Sequence, residues 1–125
     1  MAEFLDFQEL AAWQLANQLK LRVDLFLLSP DFRRHYRFSS QLCDAVRSGP
    51  RNIAKGFERR RHGEFAHFVR LAKVSEAEVL NHLIVAQDQR LITADEFQIT
   101  EQATRRAIKA ADGLIEYLES TPDQR

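Results

Sequence analysis

The sequence predicts an all-α fold: an up-down-up-down antiparallel four-helix bundle with a proline-kinked second helix. Three observations carry this. Hydrophobic residues make up 45% of the 125 residues, enough for one core, and they recur at three- and four-residue spacing in four long stretches. Only four glycines and three prolines are present, too little turn chemistry for the many short strands of a sandwich or barrel. The breaks between stretches are short, which sets successive helices antiparallel. One domain over 1–125 is expected, with helices at about 7–28, 36–59, 64–90 and 94–119.

The first helix should begin near Phe7, where Asp6 and Glu9 form an acidic capping box flanked by a Leu5–Leu10 staple. Its inward row is Ala12, Leu15, Leu19, Val23 and Phe26. A second apolar row, Leu21, Leu25 and Leu28, gives it more apolar face than an isolated bundle buries. Ser29-Pro30 ends it, with Ser29 able to cap a new turn and Pro30 suited to that turn's first position.

In the second helix the inward row is Leu42, Val46, Gly49, Ile53 and Phe57, and Pro50 lies inside. Proline has no N–H for the Val46 carbonyl and crowds the preceding turn, a cost of about 3 kcal/mol. The apolar spacing stays in phase on both sides, so a kink rather than a stop is predicted. A break at Arg61-His62-Gly63 precedes the third helix, whose inward row is Phe65, Phe68, Ala72, Ser75, Val79, His82 and Ala86. The fourth helix has the clearest start: Thr93 and Glu96 make a capping box, and Ile92 and Phe97 a staple. Phe97, Thr104, Ile108, Ala111, Ile115 and Leu118 then share one face, and the chain should fray from Thr121-Pro122.

Eighteen basic residues balance eighteen acidic ones, so the chain as a whole is no polycation and any electrostatic attraction must be local. The single cysteine, Cys43, excludes intramolecular disulfides and fits a reducing compartment. Acidic residues interrupt the first positions, and the longest apolar run, Leu25 to Leu28, cannot span a bilayer. A cytoplasmic protein without membrane contact is expected.

Between Arg33 and Arg61 nine basic residues face only two acidic ones. Arg47, Arg51, Lys55 and Arg59 form an i, i+4 ladder broadly opposite the apolar sector, and with Arg60 they are the candidate nucleic-acid-binding residues, because guanidinium groups suit bidentate phosphate contact. The competing explanation is a solvated face neutralised by acids of a neighbouring helix or subunit. Ser48, Pro50, Asn52 and Gly56 read as architecture: Ser48 and Asn52 can satisfy carbonyls that Pro50 frees, and Gly49 and Gly56 permit close helix approach.

Metal and catalytic chemistry find little support. Glu64 and His67 have the i, i+3 spacing of di-iron bundles, but no second Glu-x-x-His exists, and Glu78 with His82 supplies too few ligands. His82, on an inward row, is expected to be a hydrogen-bonded core or interface histidine. Cys43 has no base spaced to activate it and is expected to be a buried structural thiol. Neither a phosphate loop nor a nucleotide fingerprint occurs, so no enzyme, metal or cofactor is expected.

One stretch is more specific. Gln41-Leu42, Ala45 and Ser48 lead into Ser48-Gly49-Pro50-Arg51-Asn52-Ile53-Ala54-Lys55-Gly56-Phe57, followed by Arg59, Phe65, Phe68, Ala72, Ser75 and Glu78; Phe7, Leu10 and Trp13 form an opening Phe-x-x-Leu-x-x-Trp. This pattern resembles the four-helix bundle protein family, also known as the 23S rRNA intervening-sequence protein family and related to the accessory variability protein of diversity-generating retroelements. The resemblance implies a four-helix subunit assembled into a ring, typically a homopentamer, with no enzymatic activity and a role in nucleic-acid binding or accessory protein contact. This sequence departs from the family at Lys55, where glutamate is usual, and at Arg34 and Arg61-His62-Gly63, where an acidic, serine-containing context is usual. Both changes favour an anionic partner. The expected function is therefore a non-enzymatic homo-oligomer that binds RNA or DNA through the basic face of its second helix; the alternative is a protein-interaction scaffold without nucleic-acid binding.

Overall fold

Apolar side chains spaced three and four apart give each long helix a stripe that must be covered by neighbours. In the computed structural model, which describes residues 6–123, the covering is mutual. The elements are α1 (Ala11–Leu27), α2 (Pro30–Arg34), α3 (Tyr36–Phe57), α4 (His62–Asp88) and α5 (Ala94–Ser120), preceded by a 3-10 turn at Phe7–Glu9. No strand occurs among the described residues. Helices α1 and α4 each pack against both α3 and α5, and this closes the four-helix bundle.

Several boundaries differ from expectation. Asp6 does not start the first long helix: its carboxylate accepts from the Gln8 N–H and caps only the 3-10 turn. The chain then extends at Leu10, which buries its side chain, and α1 begins one residue later. The proposed partner Leu5 lies outside the described residues. Ser29 caps the turn begun by Pro30, and that turn becomes the short helix α2. The break before α4 falls at residues 58–61, so His62 and Gly63 belong to the first turn of α4. Helix α3 runs through Pro50 without stopping.

At the other end of the chain the expected fraying is replaced by a clasp. The His62 ring pairs its Nδ1 with the Thr121 carbonyl at 2.7 Å, and the His62 N–H donates to Asp123 Oδ1 at 2.6 Å. An orphan donor at the start of α4 is thereby satisfied by a carboxylate.

The core forms two apolar clusters. One joins Ala12 and Ala16, Ile53, Phe65 to Ala72 of α4, and Ala111 to Leu118 of α5. The other joins Leu19, Val23, Phe32, Leu42, Val46, Val79, Leu83 and Ile92. Between them along the helices lie Gly49 and Pro50 of α3, Ser75 and Glu76 of α4, and Thr104 of α5, all buried. Thr104 settles its hydroxyl on the Thr100 carbonyl at 2.8 Å. Ser75 donates to Ser48 Oγ at 2.7 Å across the α3–α4 seam. Both carboxyl oxygens of Glu76 are sealed from solvent and accept no hydrogen bond.

Candidate nucleic-acid interface

A helix advances 100° per residue, so side chains four apart drift 40° around the axis, and over three steps the cationic ladder crosses from one flank of α3 to the other. Arg47 faces α1. Its Nη2 lies 2.8 Å from Asp24 Oδ1 and its Nη1 donates to Cys43 Sγ at 2.8 Å. Arg47 is thus neutralised by a neighbouring helix, contrary to its expected place on an open basic face.

Arg51 is exposed and lines a groove between α3 and α4 with Gln41, Asp44, Ser48, Ser75, Glu78 and His82. Lys55 is exposed one turn further on. Arg59, Arg60 and Arg61 follow where α3 gives way to α4, all exposed. The Arg59 guanidinium lies over the Phe68 ring, 5.0 Å from its centroid, a contact that orients the side chain while leaving its charge available. Elsewhere Arg34 pairs with Asp31, Arg70 with Glu119, Lys73 with Asp112 and Arg105 with Glu101, while Lys20, Arg22, Arg33, Arg37, Arg90, Arg106 and Lys109 have no ion pair among the described residues. Among the described residues, no ion pair reaches Lys55, Arg59, Arg60 or Arg61.

Ser48, Asn52 and Gly56 build the scaffold beneath these cations. Asn52 Nδ2 donates to the Ser48 carbonyl and to Ser48 Oγ, each at 2.9 Å. The carbonyl it serves belongs to Ser48, not to Val46, whose partner Pro50 removes. Gly56 allows the close approach expected of it: a Cβ there would stand 2.7 Å from Phe65 Cδ1. This fixes the angle at which the arginine-bearing connection leaves α3. A match to the family model described as 23S rRNA-intervening sequence protein spans residues 8–113.

The chain belongs to the 23S rRNA-intervening sequence protein family. A solved structure, a protein with unknown function from the S23 ribosomal protein family of Bacteroides thetaiotaomicron VPI-5482, superposes with a TM-score of 0.77, covering 84% of this chain and 95% of that one at 14% identity. At that identity the likeness shows the fold alone. No functionally curated protein matches the sequence.

The remaining candidates in this intervening-sequence protein are dispersed or structural. Among the described residues, no three of His, Cys, Asp and Glu are placed to hold a metal ion. Glu64 and His67 are exposed. Cys43 is half-buried and its sulfur accepts a hydrogen bond from Arg47, so it is tied into the α1–α3 contact rather than sealed in the core. His82 is half-buried with its ring edge-on to Phe38, centroids 5.6 Å apart, and no hydrogen bond reaches it among the described residues. Burial holds its pKa below the usual histidine value, and the Glu78 carboxylate opposes that shift. Among the described residues no helix is long and apolar enough to cross a membrane.

Sequence reasoning missed one residue of consequence. Glu76 sits at the level of Gly49, and burial, followed by the charge of Asp112, pushes its carboxyl up to about 8. The row Val69, Ala72, Glu76, Val79, Leu83 carried the signal, because it keeps three- and four-residue spacing through the acid.

Proposed function

We propose that this family member is a non-enzymatic homo-oligomer that binds RNA or another nucleic acid through the cationic end of α3, with Lys55, Arg59 and Arg60 making phosphate contacts and Arg51 flanking them. The observation that carries the reading is a concentration of unpaired charge: four cations lie within the seven positions from Lys55 to Arg61, and none has a carboxylate within salt-bridge distance among the described residues. An array of arginines without internal partners keeps its fork-shaped donors for planar or tetrahedral oxyanions. Arg47 contributes to folding, through Asp24, rather than to this surface.

Oligomerisation is supported by apolar side chains left uncovered on two separate faces. Leu21 and Leu25 of α1, Leu28 just past its end and Ile99 of α5 are exposed on one, and Leu71, Val74 and Ile84 of α4 on the other. The first face is edged by Arg22 and Arg106, and the second adjoins Glu78. Two unlike apolar faces, one edged by arginines and the other adjoining a glutamate, suit head-to-tail contact, which closes into a ring when the rotation permits. The number five comes from the family resemblance. A ring would repeat the cationic corner and multiply a weak per-site affinity.

The test is titration of a fluorescein-labelled RNA stem-loop with the full chain and with a variant carrying Lys55→Gln, Arg59→Gln and Arg60→Gln. Arg105→Gln, Arg106→Gln and Lys109→Gln form the control. Binding lost only in the first variant supports the reading. Equal losses indicate unspecific charge, and binding unchanged in the first variant leaves the protein-scaffold alternative in front.

A further inference from the structure

Glu76 lies where α3 is least able to hold itself together. Pro50 leaves the Val46 carbonyl without its helical donor, and Gly49 beside it contributes no side chain. Into that gap comes the Glu76 carboxyl from α4: a Cβ on Gly49 would stand 3.3 Å from Glu76 Oε2 and 3.6 Å from the Ala16 methyl. Each helix offers this point a small or neutral surface, apart from Asp112 of α5. Helix α3 presents Gly49, α1 presents Ala16, and Asp112 is itself held by Lys73 of α4 at 2.6 Å. Glu76 is 2% exposed and neither oxygen has a partner. Without solvent or a donor an ionised carboxylate is far costlier there than a neutral carboxylic acid, so the neutral form is favoured.

We propose that Glu76 is a proton-operated lock on the middle of α3. As a neutral acid it fills the level between the two apolar clusters beside Gly49 and Pro50. On losing its proton to bulk water it draws solvent into that level, and the two halves of α3 move independently. The half before Pro50 belongs to one cluster through Leu42 and Val46, and the half after it to the other through Ile53. The far half carries the arginine-rich end, so the state of one buried proton is transmitted to the orientation of an exposed surface. The lock stands independently of what that surface binds.

Two measurements on the full chain test it. The Glu76 side-chain carboxyl carbon is titrated by NMR in the unaltered protein. Amide hydrogen exchange is then followed on either side of the midpoint, corrected for intrinsic rates, in the parent and in Glu76→Gln. The expected results are a midpoint well above the ordinary carboxylate range, and amides of Gly49 and of Arg51 to Ala54 that lose protection about tenfold in the parent on crossing it while the neutral variant does not respond. A midpoint in the ordinary carboxylate range overturns the proposal, as does an equal response in both proteins. If Glu76→Gln fails to fold, the parent decides alone: protection lost around Gly49 but kept at the Thr93 end of α5 supports the lock, and uniform loss or none overturns it.

Discussion

Gly56 and Phe65 meet with no room for a methyl group between them: a Cβ on Gly56 would stand 2.7 Å from Phe65 Cδ1 and 2.9 Å from Phe68 Cβ. The second atom lies next to the α4 backbone and cannot rotate away. Gly56→Ala gains about 1 kcal/mol of helix propensity but must separate α3 from α4. The expected net result is a loss of about 1–3 kcal/mol in urea unfolding. Unchanged stability would mean that the α3–α4 crossing yields easily.

Thr93 and Glu96 bind each other's backbone reciprocally, Glu96 N–H to Thr93 Oγ1 at 3.0 Å and Thr93 N–H to Glu96 Oε1 at 2.8 Å. Thr93→Ala should cost about 1 kcal/mol, and Thr93→Ser should restore most of it. Thermal unfolding of the three proteins checks this. Equal destabilisation by Ser and Ala would assign the effect to the lost methyl group instead.

Counterion release makes phosphate contacts visible in the salt dependence of affinity. For a labelled RNA, each of Lys55→Gln, Arg59→Gln and Arg60→Gln should reduce the slope of log affinity against log salt by about one unit. Arg47→Gln should leave the slope alone and lower stability by up to about 1 kcal/mol through loss of the half-exposed Asp24 pair. A slope change in Arg47→Gln equal to the others would return Arg47 to the binding surface.

Burial raises the Glu76 carboxyl from 4.5 to about 8, and the direction of its pH effect follows. Between those values the unfolded chain has released the proton and the folded chain retains it, so stability falls as pH rises through this window and levels off above it. Glu76→Gln removes this contribution. The difference in urea midpoint between the two proteins should therefore move in favour of the variant from pH 4.5 to about 8. A difference independent of pH would show that Glu76 ionises freely.

Leu25 is 68% exposed and lies beside Ile99 of α5. If this face seats a second copy, Leu25→Glu should convert the oligomer to monomer in light scattering coupled to size exclusion, with helical content unchanged. A parent that is already monomeric at micromolar concentration would remove the ring and the multivalent argument together.

Where structure follows from neighbours in the chain, the sequence was legible. The Thr93 capping box, the Ser29-Pro30 turn and the passage of α3 through Pro50 all depend on residues within a few positions. Asp6 and Glu9 have the same local pattern as Thr93 and Glu96, but burial of Leu10 from several helices decided where α1 begins. Asp24 is far from Arg47 in sequence, and periodicity carries no information about which helix lies alongside. Glu76 was overlooked for a different reason: an acid in a buried row looks like an interruption of the pattern until both of its oxygens are found enclosed. The clasp at His62 joins positions half the chain apart.

That clasp bears on the thermodynamics of contact. Arg59, Arg60 and Arg61 occupy a connection that would ordinarily forfeit backbone freedom on meeting a ligand. Here the following residue is already fastened to the C-terminal segment through Thr121 and Asp123. If the proposed nucleic-acid contact is made here, the ordering entropy has already been spent during folding and less is lost on binding. Severing the clasp would therefore appear in dissociation rates before it appeared in any change of charge.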